Sequence, residues 1–222
     1  MHSRKILVIA PDEVDADTLP KISLEIAAIE RFHDATVLRG TVRDHDIAEA
    51  VANDTFEIIW YPGHSTHEGV LLSDGVLSIA GLVQYVRADE TALCVLNSCD
   101  SEEIGIAIAS QSGADVLCTV DEVDTKDAIR PGQLLAGDLA YCETYREAYE
   151  LIATPGGKYR YYDSGGIYRS YRRDHDDEML RLYYRLEAEV RVLRWLNVGL
   201  TFVVLFEAYL MWLLYAAQRG GQ

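Results

Sequence analysis

Runs of consecutive apolar residues alternate along this chain with stretches whose apolar positions recur every three or four. KILVIA (5–10), ATVLRG (35–40), FEIIWY (56–61), TALCVLN (91–97) and ADVLCTV (114–120) are of the first kind and predict strands. TLPKISLEIAAIERF (18–32), DHDIAEAVAND (44–54), AGLVQYVR (80–87), EEIGIAIASQ (102–111), PGQLLAGDLAYCE (131–143) and YREAYELIA (145–153) have helical spacing. GVLLSDGVLSI (69–79) turns at Ser73-Asp74-Gly75 and predicts a hairpin. Strands that read as solid apolar runs are buried on both faces. Alternating with helices, they predict an α/β fold with a mostly parallel sheet covered on both sides.

The pattern changes after residue 155. PGGKYRYYDSGGIYRSYRR (155–173) is rich in Gly, Tyr and Arg and predicts a linker, or a flap lying on the domain. Residues 174–195 predict an amphipathic helix. LNVGLTFVVLFEAYLMWLLYAA (196–217) has one acid and no base over 22 residues, enough for a membrane span. Arg181, Arg185, Arg191 and Arg194 precede it and only Arg219 follows, so the expected orientation is single-pass, in the cell inner membrane, with the N-terminal domain (1–155) in the cytoplasm. Met179, Tyr183, Leu186, Val190 and Leu193 form an a/d seam, and the same spacing continues through Asn197 and Glu207. A polar side chain facing lipid is expensive, whereas one facing a partner helix can be satisfied. The expectation is a long helix that self-associates with Asn197 and Glu207 at the seam, making a homo-oligomer.

Charge follows the same boundary. The net charge is −16, and residues 1–157 carry 28 acidic and 10 basic residues against 8 and 10 in 158–222. An acidic domain repels phosphate, which excludes nucleic acid as the expected partner. None of Cys94, Cys99, Cys118 and Cys142 forms a CxxC pair. MHSRKILVIAPDEVDAD has too short an apolar run for a signal peptide, and the cysteines are expected in a reducing compartment. No cofactor is expected.

The candidate chemistry lies at two predicted strand ends. His64 follows FEIIWY-Pro62-Gly63, and Cys99 follows TALCVLN at the start of a helix. Open parallel sheets place their sites at the carboxyl ends of strands. A helix N-terminus and an imidazolium both lower a thiol pKa, which suits a nucleophilic cysteine with a histidine base. The backbone N–H of Cys99, with those around Gly63 and Ser65, would form the oxyanion hole. His67 is a competing base that the register disfavours. A metal site on His64, His67 and Cys99 lacks a third or fourth ligand at regular spacing, so no metal is expected. Asp100 and Glu102 are placed to cap the helix after Cys99. An early acidic phospho-acceptor pocket in VIAPDEVDAD, as in a flavodoxin-like signalling domain, would leave His64 and Cys99 unexplained.

IIWYPGHSTHEGVLLSDGVLSIAGL followed by TALCVLNSCDS resembles the CHAT peptidases, a branch of the caspase-like cysteine proteases related to separase and gingipains. GADVLCTVDEVDTKDA and YREAYELIA resemble the later strand and terminal helix of that family, so the resemblance covers roughly residues 5–155. It implies a caspase-like three-layer αβα sandwich and a His64–Cys99 dyad that cleaves peptide bonds. It also implies an effector in bacterial defence or regulated cell death. The chain shows no obvious sensor of its own, so activation is expected by assembly or by a partner, an upstream sensor protein. Ser65 departs from the usual glycine after the histidine, and its Cβ alters the approach to an oxyanion. Asp121, Glu122 and Asp124 are candidates to line a pocket for a basic side chain of a protein or peptide substrate. The alternative is a catalytically inactive docking or sensing module whose C-terminal helix oligomerises in the membrane.

Overall fold

A computed structural model describes residues 2–11, 19–120, 125–154 and 157–169. They belong to the first of two compact units, Met1–Tyr171 and Arg172–Gln222. Asp121, Glu122, Asp124, Asn197, Glu207, the amphipathic helix and the expected span lie outside the described residues. Among those residues no helix is long and apolar enough to cross a membrane.

In chain order the elements are β1 (Lys5–Pro11), α1 (Leu19–Phe32), β2 (Asp34–Gly40), α2 (Asp44–Asn53) and β3 (Ile58–Tyr61). There follow β4 (Ser65–Thr66), β5 (Gly69–Leu72), β6 (Gly75–Ser78), α3 (Ile79–Ala88), β7 (Leu93–Leu96) and α4 (Glu102–Ser112). The series ends with β8 (Asp115–Thr119), α5 (Thr125–Tyr141), α6 (Tyr145–Ile152) and β9 (Tyr159–Tyr162). The main sheet has the order β2-β1-β3-β7-β8-β9, parallel throughout except for β9. The fold is therefore mixed α/β with a mostly parallel sheet, as the solid apolar runs require.

Each central strand splits its side chains between two cores, because successive residues point to opposite faces. Leu7, Ile59, Tyr61, Cys94, Leu96, Val116 and Cys118 enter one core with Ile47 of α2, Leu82 and Val86 of α3, and Ile104 and Ile108 of α4. Ile6, Val8, Ile58, Trp60, Leu93, Val95 and Leu117 enter the other with Ile26 and Ile29 of α1, Leu135 and Leu139 of α5, and Tyr149 of α6. Three layers result, with both faces of the sheet sealed. The α4–β8 contact is close enough that Gly105 is fitted against Cys118, whose Sγ lies 2.8 Å from where a Cβ would stand.

Two segments differ from expectation. Within the stretch read as a linker or flap, Tyr159–Tyr162 form the antiparallel edge strand β9 on β8. Its tyrosines cover both cores and find acceptors on neighbouring elements: Tyr159 on Asn97, Tyr161 on Asp115, and Tyr162 on Glu102. Flanking Gly and Arg made that short aromatic run read as irregular. Helix α5 begins at Thr125 and continues through Pro131, where proline was expected to mark the start. The hairpin also gains a third strand, since β4 pairs antiparallel with β5.

Candidate active site

Strands β3 and β7 are adjacent and parallel, with Tyr61 opposite Leu96. His64 lies three residues beyond Tyr61, and Cys99 three residues beyond Leu96. The two candidate residues therefore leave the same end of the sheet from neighbouring strands, about 4.8 Å apart at their roots. The loops are tied directly, because the Ser65 hydroxyl donates to the Cys99 carbonyl oxygen. His64 is exposed and Cys99 half-buried, so both are open to a molecule in solution.

The His64 loop is held from the α3 side of the sheet. Tyr61, 1% exposed, places its hydroxyl 2.7 Å from both the His64 and Leu71 carbonyl oxygens. The Leu71 N–H also donates to the His64 carbonyl at 2.9 Å. Gly63 lies over the Tyr61 ring, where an added Cβ would stand 2.6 Å from Tyr61 Cζ. Glycine is needed here for close approach. His67 sits instead in the β4–β5 turn, largely exposed, with Nε2 3.9 Å from Glu68. No group of three or more His, Cys, Asp or Glu among the described residues is arranged to hold a metal ion.

The Cys99 turn is held from β8. The Ser101 hydroxyl donates to the Leu96 and Ser98 carbonyl oxygens at 3.2 and 3.0 Å and accepts from the Thr119 N–H at 3.1 Å. The Thr119 hydroxyl also donates to the Ser98 carbonyl. Asp100 has φ +48°, a left-handed conformation uncommon outside glycine but tolerated by aspartate. That residue turns the chain sharply between Cys99 and Ser101, the N-cap of α4. Asp100 thus makes the bend, and Glu102 lies in the first helical turn accepting from the Tyr162 hydroxyl at 2.5 Å. Ser98 Oγ is buried without a hydrogen-bond partner among the described residues.

A polar group reaches the same turn through the opposite core. Glu25 of α1 is 2% exposed. It accepts from Trp60 Nε1 at 2.7 Å and from Asn97 Nδ2 at 2.9 and 2.8 Å. Asn97 Oδ1 accepts from the Tyr159 hydroxyl at 2.6 Å, and the Asn97 N–H donates to the Tyr61 carbonyl at 3.0 Å. Burial pushes the Glu25 carboxyl up to about 7, with the Asn97 and Trp60 hydrogen bonds opposing the rise. Sequence reasoning missed this group. Its signal was legible: Glu25 falls on the apolar helical face marked by Ile22, Ile26 and Ile29, and Asn97 continues the face of β7 occupied by Leu93 and Val95.

Burial pushes Cys94 up to about 12 and Cys142 to about 11, and raises Cys118 further. Cys94 and Cys118 are wholly enclosed, consistent with core roles.

No family model matches the chain, and no curated protein matches it. Among solved structures it is similar to a secreted C11 cysteine protease from Bacteroides thetaiotaomicron in complex with an irreversible peptide inhibitor. The TM-score is 0.48 at 8% identity, covering 73% of this chain and 67% of that one. A second structure, of the C11 protease "iotapain" from the same organism, gives a TM-score of 0.47 at 10% identity, covering 74% and 67%.

Proposed function

We propose that the domain is a caspase-like cysteine peptidase, CHAT-like in its motifs, in which His64 and Cys99 cleave peptide bonds. The observation that carries this reading is the register: paired Tyr61 and Leu96 send His64 and Cys99 out of one sheet end at equal distance, with Ser65 joining their loops. The left-handed turn at Asp100 adds support, since it bends the chain sharply at the open cysteine and starts a helix just beyond it.

In the proposed reaction His64 takes the proton of the Cys99 thiol, and the thiolate attacks the carbonyl carbon of the scissile peptide. N–H groups of Cys99 and of the Gly63–Ser65 loop receive the developing oxyanion. The C–N bond breaks as His64 returns the proton to the leaving amine. Water, deprotonated by His64, then splits the thioester, releasing the acid and restoring the thiol. Asp121, Glu122 and Asp124 are proposed to favour a basic residue before the cleaved bond.

The remaining proposals rest on the sequence. Residues 196–217 anchor the chain in the inner membrane with the peptidase domain in the cytoplasm. Asn197 and Glu207 join copies into an oligomer that an upstream sensor activates in a defence response. The test is a fluorogenic peptide library presented to the full chain in detergent, with and without enforced oligomerisation, beside Cys99→Ala. Cleavage by the wild type that Cys99→Ala abolishes supports the reading. No cleavage in either state, with Cys99 no more reactive than Cys142, favours the inactive docking module.

A further inference from the structure

We infer that Glu25 is a positioning residue for Cys99: through Asn97 it holds the turn that presents the thiol, and a proton on Glu25 releases that hold. The inference rests on the reading of Cys99 as the nucleophile. The Asn97 N–H is bonded to the Tyr61 carbonyl of β3, two residues before Cys99. Its side chain links α1 to β9, receiving Tyr159 on one atom and donating to Glu25 with the other.

The bonding pattern matches an ionised Glu25. Trp60 and Asn97 both present N–H donors to it, and neither donor can accept a proton from a carboxylic acid. A protonated Glu25 must instead donate. Of these two partners only Asn97 carries an acceptor, Oδ1, and presenting it to Glu25 requires the amide to invert. The inverted amide then offers N–H to the Tyr159 hydroxyl, so that hydroxyl must turn its own hydrogen away from Asn97. One proton therefore reverses two hydrogen bonds beneath the Cys99 turn. No covalent bond changes.

The surroundings leave few other groups to answer that proton. From β3 the carboxyl meets Trp60, and from α5 it meets Gly132, whose Cβ would lie 2.5 Å from it. Strand β1 presents the apolar Ile6, Val8 and Ala10 to this layer. The titratable group facing it from β9 is Tyr159, whose pKa is raised by burial first and then by Glu25 and Cys99. Tyr159 thus lies within electrostatic range of both the buried carboxyl and the thiol. A glycine at 132 leaves room for the carboxyl, and α1 could have carried an aliphatic side chain at position 25 as it does at 22, 26 and 29. A fully buried acid in that place, bonded to the nucleophile's loop, is accounted for by a role at that loop.

The test measures Cys99 alkylation by iodoacetamide on the full chain in detergent, from about pH 5.5 to about pH 9, which spans carboxyl, imidazole and thiol titration. His64→Ala is the background, so that this imidazole does not contribute; Cys142 is the reference thiol, on which burial and then the Asp138 carboxyl act. The expected profile keeps a step at about 7, and His64→Ala/Glu25→Gln loses it. At the plateau Glu25→Gln labels roughly tenfold more slowly, as expected of a displaced nucleophile. A step that survives Glu25→Gln overturns the inference. If His64→Ala itself leaves Cys99 labelling unchanged, the dyad reading fails instead, whatever Glu25 does. Should Glu25→Gln not fold, infrared titration of the wild type with ¹³C-glutamate decides. A protonated-carboxyl band that disappears with the midpoint of the labelling step supports the inference, and its absence overturns it.

Discussion

Replacing Gly63 with alanine puts a methyl group where the structure has the Tyr61 ring. The added Cβ would lie 2.6 Å from Cζ, 2.7 Å from the hydroxyl oxygen and 2.9 Å from Cε1. Ordinary contact begins near 3.4 Å, so ring and loop must part by most of an ångström. The ring has little freedom, being 1% exposed with its hydroxyl on two carbonyl oxygens. Overpacking of this kind costs about 1–3 kcal/mol. Losing the hydroxyl's hydrogen bond adds about 1 kcal/mol. Gly63→Ala should therefore destabilise the domain by about 2–4 kcal/mol, with Tm falling about 2–4 °C for each. Urea unfolding of the full chain, followed by circular dichroism, measures this. A cycle with Tyr61→Leu isolates the clash: without the ring, alanine at 63 should cost less by at least about 1 kcal/mol. A single-mutant change within about 0.5 kcal/mol of wild type would refute the placement of Tyr61 beneath the His64 loop.

Two further outcomes follow from named contacts. In Gly105→Ala the new Cβ meets Cys118 Sγ at 2.8 Å and Val116 Cγ1 at 3.2 Å. Overpacking of about 1–3 kcal/mol exceeds the gain in helix propensity of about 1 kcal/mol, so the variant should be less stable in urea, and Cys118→Ala in the same chain should relieve it. Glu25 makes stability depend on pH. Its folded pKa, raised from 4.5 to about 7, means the folded chain holds a proton that the unfolded chain has lost in between. That contribution is fully present below the unfolded value and is lost as pH rises through the folded one. The urea midpoint should fall between these limits in wild type, and Glu25→Gln should show a smaller fall; an equal fall in both would contradict the burial of this carboxyl.

Much of the architecture was legible because the central strands are buried on both faces, so their sequences are solid runs such as KILVIA and LCVL. The pairing of Tyr61 with Leu96 was not legible, although the apolar runs that His64 and Cys99 follow were. Strand β9 was hidden because its tyrosines combine apolar rings with hydroxyls that find polar partners across the sheet edge, a pattern that composition reads as linker. Ser65 was weighed for the Cβ it adds. Its hydroxyl, which bridges to the Cys99 carbonyl, is a long-range contact that no local spacing encodes. Glu25 and Asn97 are 72 residues apart and meet only once α1 packs on the sheet.

The central claim is that His64 activates Cys99. Its most direct test is alkylation of the full chain across pH, resolved by cysteine in a mass spectrometer, in wild type and His64→Ala. Cys94, pushed up to about 12, and Cys142, pushed up to about 11, serve as internal references. The account predicts that Cys99 labels first at neutral pH and that His64→Ala removes its advantage. Equal labelling of Cys99 and Cys142 in the wild type, or a Cys99 rate indifferent to His64, would contradict it.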